Sequence, residues 1–351
     1  MNVPERLPNG VTIGHAQDAH GLTGCTAIIF DKTIIAAADI RGSAPATSNF
    51  SALNPVHVFP RVDGIFLAGG SVFGLNAVGG MQKFLEEKGR GFNVGIATIP
   101  IVPAAGIFDL AVGDPKARPT AELGYEACKN ANHNLPQQGS IGAGMGASVG
   151  KFFGIKQAMR GGFGYSWAST QAGSQMWVFA VVNAFGDIWQ PRSDKIIAGA
   201  RKAPDSKEFV NAAEQIAQGW KRTGYGATTQ VQQAGKTSEE GWSKDQGENE
   251  PPIDNTTLLV GVTTAKLDVL DSRKLAESCM LGLSDAVNPA CTIFDGDLAI
   301  AASLGEVRDD ITGLCVIARR VAGEAIINAV THATALPTIP CYNDVICDNP
   351  A

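Results

Sequence analysis

A threonine hydroxyl is a weak nucleophile until a base stands beside it, and an α-amino group on the same residue, with a pKa of about 8, is such a base. The run Asn255-Thr256-Thr257 offers that chemistry. The Thr256 hydroxyl can attack the preceding carbonyl of Asn255, water can open the resulting ester, and the cleavage frees the amine that Thr256 then needs. Thr256 to Thr264 (TTLLVGVTT) is apolar and β-branched and reads as a central strand. Thr228 to Asp254 is polar, rich in Gln, Glu, Lys and Gly, and closes on Pro251-Pro252, so it reads as an exposed, mobile loop. The bond between 255 and 256 therefore falls where a loop runs into a core strand. That places a scissile bond at a strand edge, with the upstream chain able to move away. A surface insertion ahead of an ordinary strand has the same composition.

Two further groups could serve such a nucleophile. Asp295 and Asp297, in Phe294-Asp-Gly-Asp297 ahead of the strand-like Leu298–Ala302, are two positions apart, which on extended chain turns both acids to one side. Facing a site, they would hold the α-ammonium of Thr256 or a substrate amine; otherwise the run is a plain turn. Asn183 ends the apolar run Trp177–Val182, as a turn residue or as an amide donor to an oxyanion.

The glycine stretch 139–151 (GSIGAGMGASVGK) has to be weighed against both. Backbone amides of such loops cradle phosphates. A Walker A loop ending on Gly150-Lys151 needs Gly at 145 and Ser or Thr at 152, where Met145 and Phe152 stand. Gly146-Ala-Ser148-Val-Gly150 matches the G-x-S-x-G nucleophile elbow, with acids and His332 downstream in the order that elbow uses. The elbow requires a strand, a sharp turn and a helix, whereas Ser148 leads into the short Lys151-Phe-Phe-Gly-Ile.

The elements that must position these groups are strands and helices in mixed order. Glycine, 41 of 351 residues, separates short β-branched runs at Thr26–Phe30, Thr33–Ala38, Gly64–Ala68 and Val94–Val102, which read as strands. Ser71 is placed to cap a helix with the stripe Val72, Leu75, Val78, Met81, Phe84 and Leu85, ending at Gly89. Helical periodicity recurs at Ala121–Ala131, Lys207–Trp220, Ser272–Val287 and Cys315–Ala333. Strands outnumber helices without alternating with them, which favours a layered α+β sandwich. With 44% hydrophobic and 18% charged residues the chain can bury a large core. A net charge of −6 gives no footprint for nucleic acid or an anionic membrane, so small-molecule partners are expected. Met1–Gly10 lacks a secretory apolar run and no later stretch is long enough to span a bilayer, which places the chain in the cytoplasm. The seven cysteines (Cys25, Cys128, Cys279, Cys291, Cys315, Cys341, Cys347) and five histidines (His15, His20, His57, His133, His332) are dispersed without metal-site spacing. No metal and no cofactor is expected.

Taken together, the motifs resemble one family, the DmpA-like self-processing aminopeptidases, which includes β-aminopeptidases and nylon-oligomer hydrolases. The resemblance rests on Leu67-Ala-Gly-Gly-Ser-Val-Phe-Gly-Leu75, Ile101-Val-Pro-Ala-Ala-Gly-Ile-Phe-Asp109, Gly142–Lys151, Val181-Val-Asn183, Asn255-Thr256-Thr257 and Asp295-Gly-Asp297. It implies a single four-layer αββα domain over residues 1–351, cut into a 1–255 long subunit and a 256–351 short subunit, with 228–255 as the loop before the cut. A symmetric oligomer, commonly a tetramer, is implied as well. It also implies roles: Thr256 nucleophile, its amine the base, Lys151 a positive group tuning the hydroxyl, Asn183 an oxyanion donor, and Asp295 and Asp297 orienting the amine. A Thr nucleophile after Asn with the Asp-Gly-Asp pair looks more like the nylon-oligomer hydrolases than the Ser-nucleophile aminopeptidases, which tilts the expected substrates toward 6-aminohexanoate oligomers without fixing them. Phe108 departs from the Tyr that nylon-hydrolase relatives carry there, so a hydroxyl facing substrate or oxyanion is missing. The expected activity is hydrolysis of amide bonds in short linear substrates through an acyl-Thr256 intermediate. The alternatives are an acyltransferase of related self-cleaving fold, a Ser148 serine hydrolase and a binding protein with 255–256 intact.

Overall fold

The structure, a computed structural model, describes residues 4–220 and 255–346. The expected loop at 228–254 and Cys347 lie outside the described residues. The centre is one continuous nine-stranded sheet built from β1 (Val11–Asp18), β2 (Thr23–Ile40), β3 (Ala46–Ser48), β4 (Arg61–Ala68), β5 (Ala104–Gly106), β6 (Gly162–Ser169), β7 (Gln175–Asn183), β8 (Thr256–Ala265) and β9 (Leu298–Val307). Its order is β6-β7-β8-β9-β2-β4-β5-β3, with β1 also paired to β2.

The eighteen-residue strand β2 turns this ladder into two layers. Its first half pairs with β1 and β4, its last residues pair with β9, and the register to β4 shifts between Ile29 and Ile34. Successive side chains on a strand point to opposite faces. In β2, Ile28, Phe30, Ile34, Ala36 and Ala38 face a core shared with Trp177, Phe179 and Val181 of β7 and Leu258, Val260 and Val262 of β8. Cys25, Ala27 and Ile29 face outward onto Met81 and Leu85 of α1 (Val78–Glu87) and Ala127 and Cys128 of α2 (Ala121–Lys129). On the far side Met176, Val178, Ala180, Leu259 and Ala299 meet α3 (Val269–Ala286) and α4 (Ile311–Thr331). The layers are helix, sheet, sheet, helix, the expected αββα sandwich. α3 and α4 pack closely because Gly282 faces the Arg319 carbonyl, where a Cβ would come within 2.2 Å.

Several local expectations are corrected. Thr26–Phe30 and Thr33–Ala38 are one strand, because Asp31 and Lys32 pass through solvent at the bend without breaking it. Val94–Val102 forms no long strand; Phe92–Asn93 and Thr98–Ile99 make a short exposed hairpin with Ile96 at its tip. Ser71 does not cap its helix: Gly70 holds that place, and Ser71 is the first helical residue, at φ 56°. The helix sought at 207–220 is only Ala212–Ala217, capped by Asn211. No helix among the described residues is long and apolar enough to cross a membrane.

Candidate active site

β7 ends and β8 and β9 begin at the same edge of the two-sheet core, which brings distant residues to one place. Asn183 is the ladder partner of Thr256, and Leu258 that of Leu298, so Thr257 and Asp297 stand across the same rung step. Alternation puts the side chains of Asn183 and Thr256 on the face between the sheets, with Val181 and Leu258. Lys151 arrives from the glycine stretch. Ser148–Val149 is a two-residue strand paired to Met159–Arg160, after which Gly150 and Lys151 bond the carbonyls of Gly186 and Phe185. Gly150 has φ 68°, and a Cβ there would come within 2.1 Å of the Gly199 carbonyl carbon. Only glycine fits that turn, and the turn aims Lys151 inward.

The Lys151 side chain is fully buried and donates to both oxygens of Asn183, the main-chain one at 2.9 Å and Oδ1 at 2.7 Å. The Ser148 amide also donates to Oδ1, at 3.0 Å, and Asn183 Nδ2 donates to the Phe108 carbonyl at 2.9 Å. Two donors on Oδ1 settle which end of the amide is oxygen. Asn183 is thus fixed with its NH2 group toward Phe108, whose own side chain is half-buried. Beside it Asp109 is buried, accepting from the Thr23 hydroxyl at 2.8 Å and the Gly70 amide at 2.6 Å; burial raises its pKa.

Around the expected cut, the Thr256 hydroxyl lies 2.6 Å from the carbonyl oxygen of Asn255, to which the Gly296 amide also donates at 2.7 Å. In this continuous chain Asp297 Oδ1 accepts the Thr257 amide at 2.6 Å and its Oδ2 the Cys291 amide at 2.9 Å. Asp295 Oδ2 accepts the Thr292 hydroxyl at 2.6 Å and amide at 2.9 Å. The acids are therefore turned to Thr257 and Thr292. Burial, with the neighbouring Asp295 charge, pushes Asp297 up to about 7. Burial also raises Asp295, against the Thr292 hydrogen bonds and the Lys151 charge. Thr256 is 3% exposed and Asn255 not at all, so the site is closed in the uncut chain. A surface cavity of about 290 Å³ lined by Arg192, Asp285, Arg319 and Asn328 lies elsewhere, on the outer helices.

The rival motifs do not form what they would need. In the glycine stretch the Gly142 amide is taken by Gln17 Oε1 at 2.7 Å and that of Ala143 by Thr26 Oγ1 at 3.0 Å, so neither is left to cradle a phosphate. No α-helix follows directly on Ser148, whose strand leads only to a single 3-10 turn at Ile155–Gln157, and His332 is exposed, bonded to the Asn328 carbonyl of its own helix. The elbow reading is set aside on that geometry. The sequence pointed to Thr256, Asn183, Lys151, Asp295 and Asp297, and the fold brings all five to one edge. It gave no role to Thr292, to the Gly296 amide or to the Ser148 amide. Main-chain donors leave no mark in residue type beyond the small side chain between the two acids.

Residues 9–340 match the family model of peptidase family S58. The chain is 32% identical over 365 residues to an uncharacterized aminopeptidase of Mycobacterium tuberculosis, covering 96% of each. It is 26% identical over 336 residues to a 6-aminohexanoate-oligomer endohydrolase of Paenarthrobacter ureafaciens, covering 91% of this chain and 84% of that one. Among solved structures it is similar to a Burkholderia sp. β-aminopeptidase, with TM-score 0.64, 15% identity and coverage of 98% and 94%. It is also similar to the L-aminopeptidase D-Ala-esterase/amidase of Ochrobactrum anthropi, described as a variant of the Ntn hydrolase fold, with TM-score 0.65, 13% identity and coverage of 95% and 88%.

Proposed function

Because the chain belongs to peptidase family S58, whose members hydrolyse amide bonds, we propose that it cuts itself between Asn255 and Thr256 and then uses Thr256 as an N-terminal nucleophile. The observation that carries this reading is the Thr256 hydroxyl lying 2.6 Å from the carbonyl oxygen of its own preceding residue inside a closed site. Cutting there frees the amine that activates the hydroxyl and lets Asn255 withdraw, opening the site to substrate. β8 stays in place after the cut, since it is paired along its length to β7 and β9.

In turnover, Thr256 Oγ attacks the substrate carbonyl, its amine takes the proton and passes it to the leaving amine, and water resolves the acyl-Thr256 ester. Asn183, fixed by Lys151 and Ser148, offers its second N–H to the oxyanion. Lys151 places a positive charge behind that amide, favouring negative charge in front of it. Asp297, one residue from the new amine, and Asp295 hold the ammonium form between turns. The substrates are short linear amides, either aminoacyl amides or 6-aminohexanoate oligomers, the second class suggested by the relative of that name. Incubation with both classes, with and without an added amine acceptor, tests this. Free acid as product, with an acyl adduct on the peptide beginning at Thr256, is expected; aminolysis product alone would mean transfer. Turnover by a Thr256→Ala chain would overturn the assignment.

A further inference from the structure

The carbonyl of Asn255 is held from two sides, and only one of the two donors can remain when it reacts. The Thr256 hydroxyl, at 2.6 Å, is itself the attacking group and loses its proton on attack. The Gly296 amide, at 2.7 Å, is not consumed. We propose that the main-chain N–H of Gly296 is the oxyanion donor of self-cleavage, a role that rests on the cut at Asn255-Thr256 proposed above.

The steps balance as an acyl shift. Oγ of Thr256 bonds to the Asn255 carbonyl carbon, and the carbonyl electron pair moves onto oxygen facing the Gly296 N–H. Collapse breaks the bond from that carbon to the Thr256 nitrogen, which takes up the proton that Oγ gave. Water then adds to the ester carbon and collapse expels Oγ, which takes one water proton while the other is released, leaving an Asn255 carboxylate, the Thr256 hydroxyl and a free Thr256 amine. Both tetrahedral states carry their charge on the same oxygen. A donor fixed beforehand and aimed at that oxygen is the arrangement that lowers such barriers.

Gly296 is fixed from several directions. Asn255 and Asp295 form a parallel bridge, in which the Asn255 amide donates to the Phe294 carbonyl at 3.2 Å. From the other side the Asp295 carbonyl accepts the Ala44 amide, and the Asp297 carbonyl accepts those of Arg41 and Gly42. The residue must also be bare. A Cβ on Gly296 would lie 2.7 Å from the Ala44 carbonyl oxygen and 2.8 Å from Thr256 Oγ. The rung is an ordinary one for a parallel pair. What distinguishes it is that its acceptor is the carbonyl at the scissile bond and that the nucleophile shares that acceptor.

Replacing the Gly296 amide by an ester, with glycolate in place of glycine, removes the N–H without adding an atom to the side. Cys291 allows it: a segment beginning at Cys291 with glycolate at 296 is joined by native ligation to residues 1–290, and the full chain is refolded beside an all-amide ligated control. The expected result is cleavage of the control and a loss of about a hundredfold or more in the ester chain. Equal rates would overturn the Gly296 role while leaving Thr256 as the cutting residue. An uncut control would instead overturn the self-cleavage reading itself. If the ester chain does not fold, the uncut Thr256→Ala chain labelled with ¹⁵N-glycine and ¹³C-carbonyl asparagine decides. A scalar coupling across the Gly296 to Asn255 hydrogen bond supports the role, and its absence overturns it.

Discussion

Ser148 and Thr256 are both buried hydroxyl residues at the first position of a strand, and both lie against Asn183, yet their surroundings differ. Ser148 meets Asn183 through its main-chain N–H, at 3.0 Å, and its strand is two residues long. Thr256 is the ladder partner of Asn183 and points its hydroxyl at the carbonyl it would cleave. The formal motif belongs to Ser148 and the geometry to Thr256. A nucleophile is set by what stands beside the bond to be broken, and that is assembled by strand pairing across the chain, not by five adjacent residues.

The largest expected effect breaks the symmetry between the two hydroxyls. Thr256→Ala is expected to stay uncut and to lose activity by about a thousandfold or more, whereas Ser148→Ala, which keeps its amide, stays within about threefold. Steady-state rates on one aminoacyl amide check both. Next comes the residue both sites share. Lys151→Met removes both hydrogen bonds to Asn183 while keeping the stem buried, and is expected to cost about a hundredfold in kcat with KM little changed. A loss confined to KM would mean that Lys151 merely shapes the pocket.

The acids sharpen the contrast, because they belong to the Thr256 side alone. Asp297→Asn leaves an amide that can accept from Thr257 or Cys291 but not both, and is expected to destabilise the uncut Thr256→Ala chain by about 1–3 kcal/mol, read from urea unfolding. The same acid sets a pH dependence. Its folded pKa, about 7, stands above the unfolded carboxylate value of about 3.9. The folded chain therefore holds more protons between these values. The stability this group contributes is complete below about pH 4 and is lost as pH rises through about 7. Melting temperatures of Thr256→Ala from pH 5 to 8 should fall; Asp297→Asn should flatten the fall, and Ser148→Ala should leave it unchanged. The smallest effect lies at Phe108, whose carbonyl anchors Asn183. Phe108→Tyr, which restores the hydroxyl that the resemblance to nylon-oligomer hydrolases implies at this position, is expected to raise rates on 6-aminohexanoate oligomers by no more than about tenfold.

How far the sequence could be read follows from the same physics. Thr256 was legible because a polar segment stops at a β-branched run, and the two acids because their spacing is that of an extended chain. The αββα layers were legible only through resemblance. A single strand, β2, makes the two sheets, and its exposed Asp31-Lys32 pair looks like a turn in one dimension. Val94–Val102 misled in the opposite way: Val94, Ile96 and Ile99 lie exposed with only a short hairpin between them, and propensity alone does not make a strand. Asp109 and the Gly296 amide act through hydrogen bonds to residues far along the chain, which no local pattern encodes; Thr292 bonds Asp295 only three residues on, but its residue type alone marks no such bond.

Whether the chain is cut at all is the most direct question, and intact-mass measurement of the purified, folded protein with amino-terminal sequencing answers it. Two polypeptides that remain together in native buffer, the smaller beginning at Thr256, are expected. A single uncut mass, or a cut at another bond, would contradict Thr256 as the nucleophile.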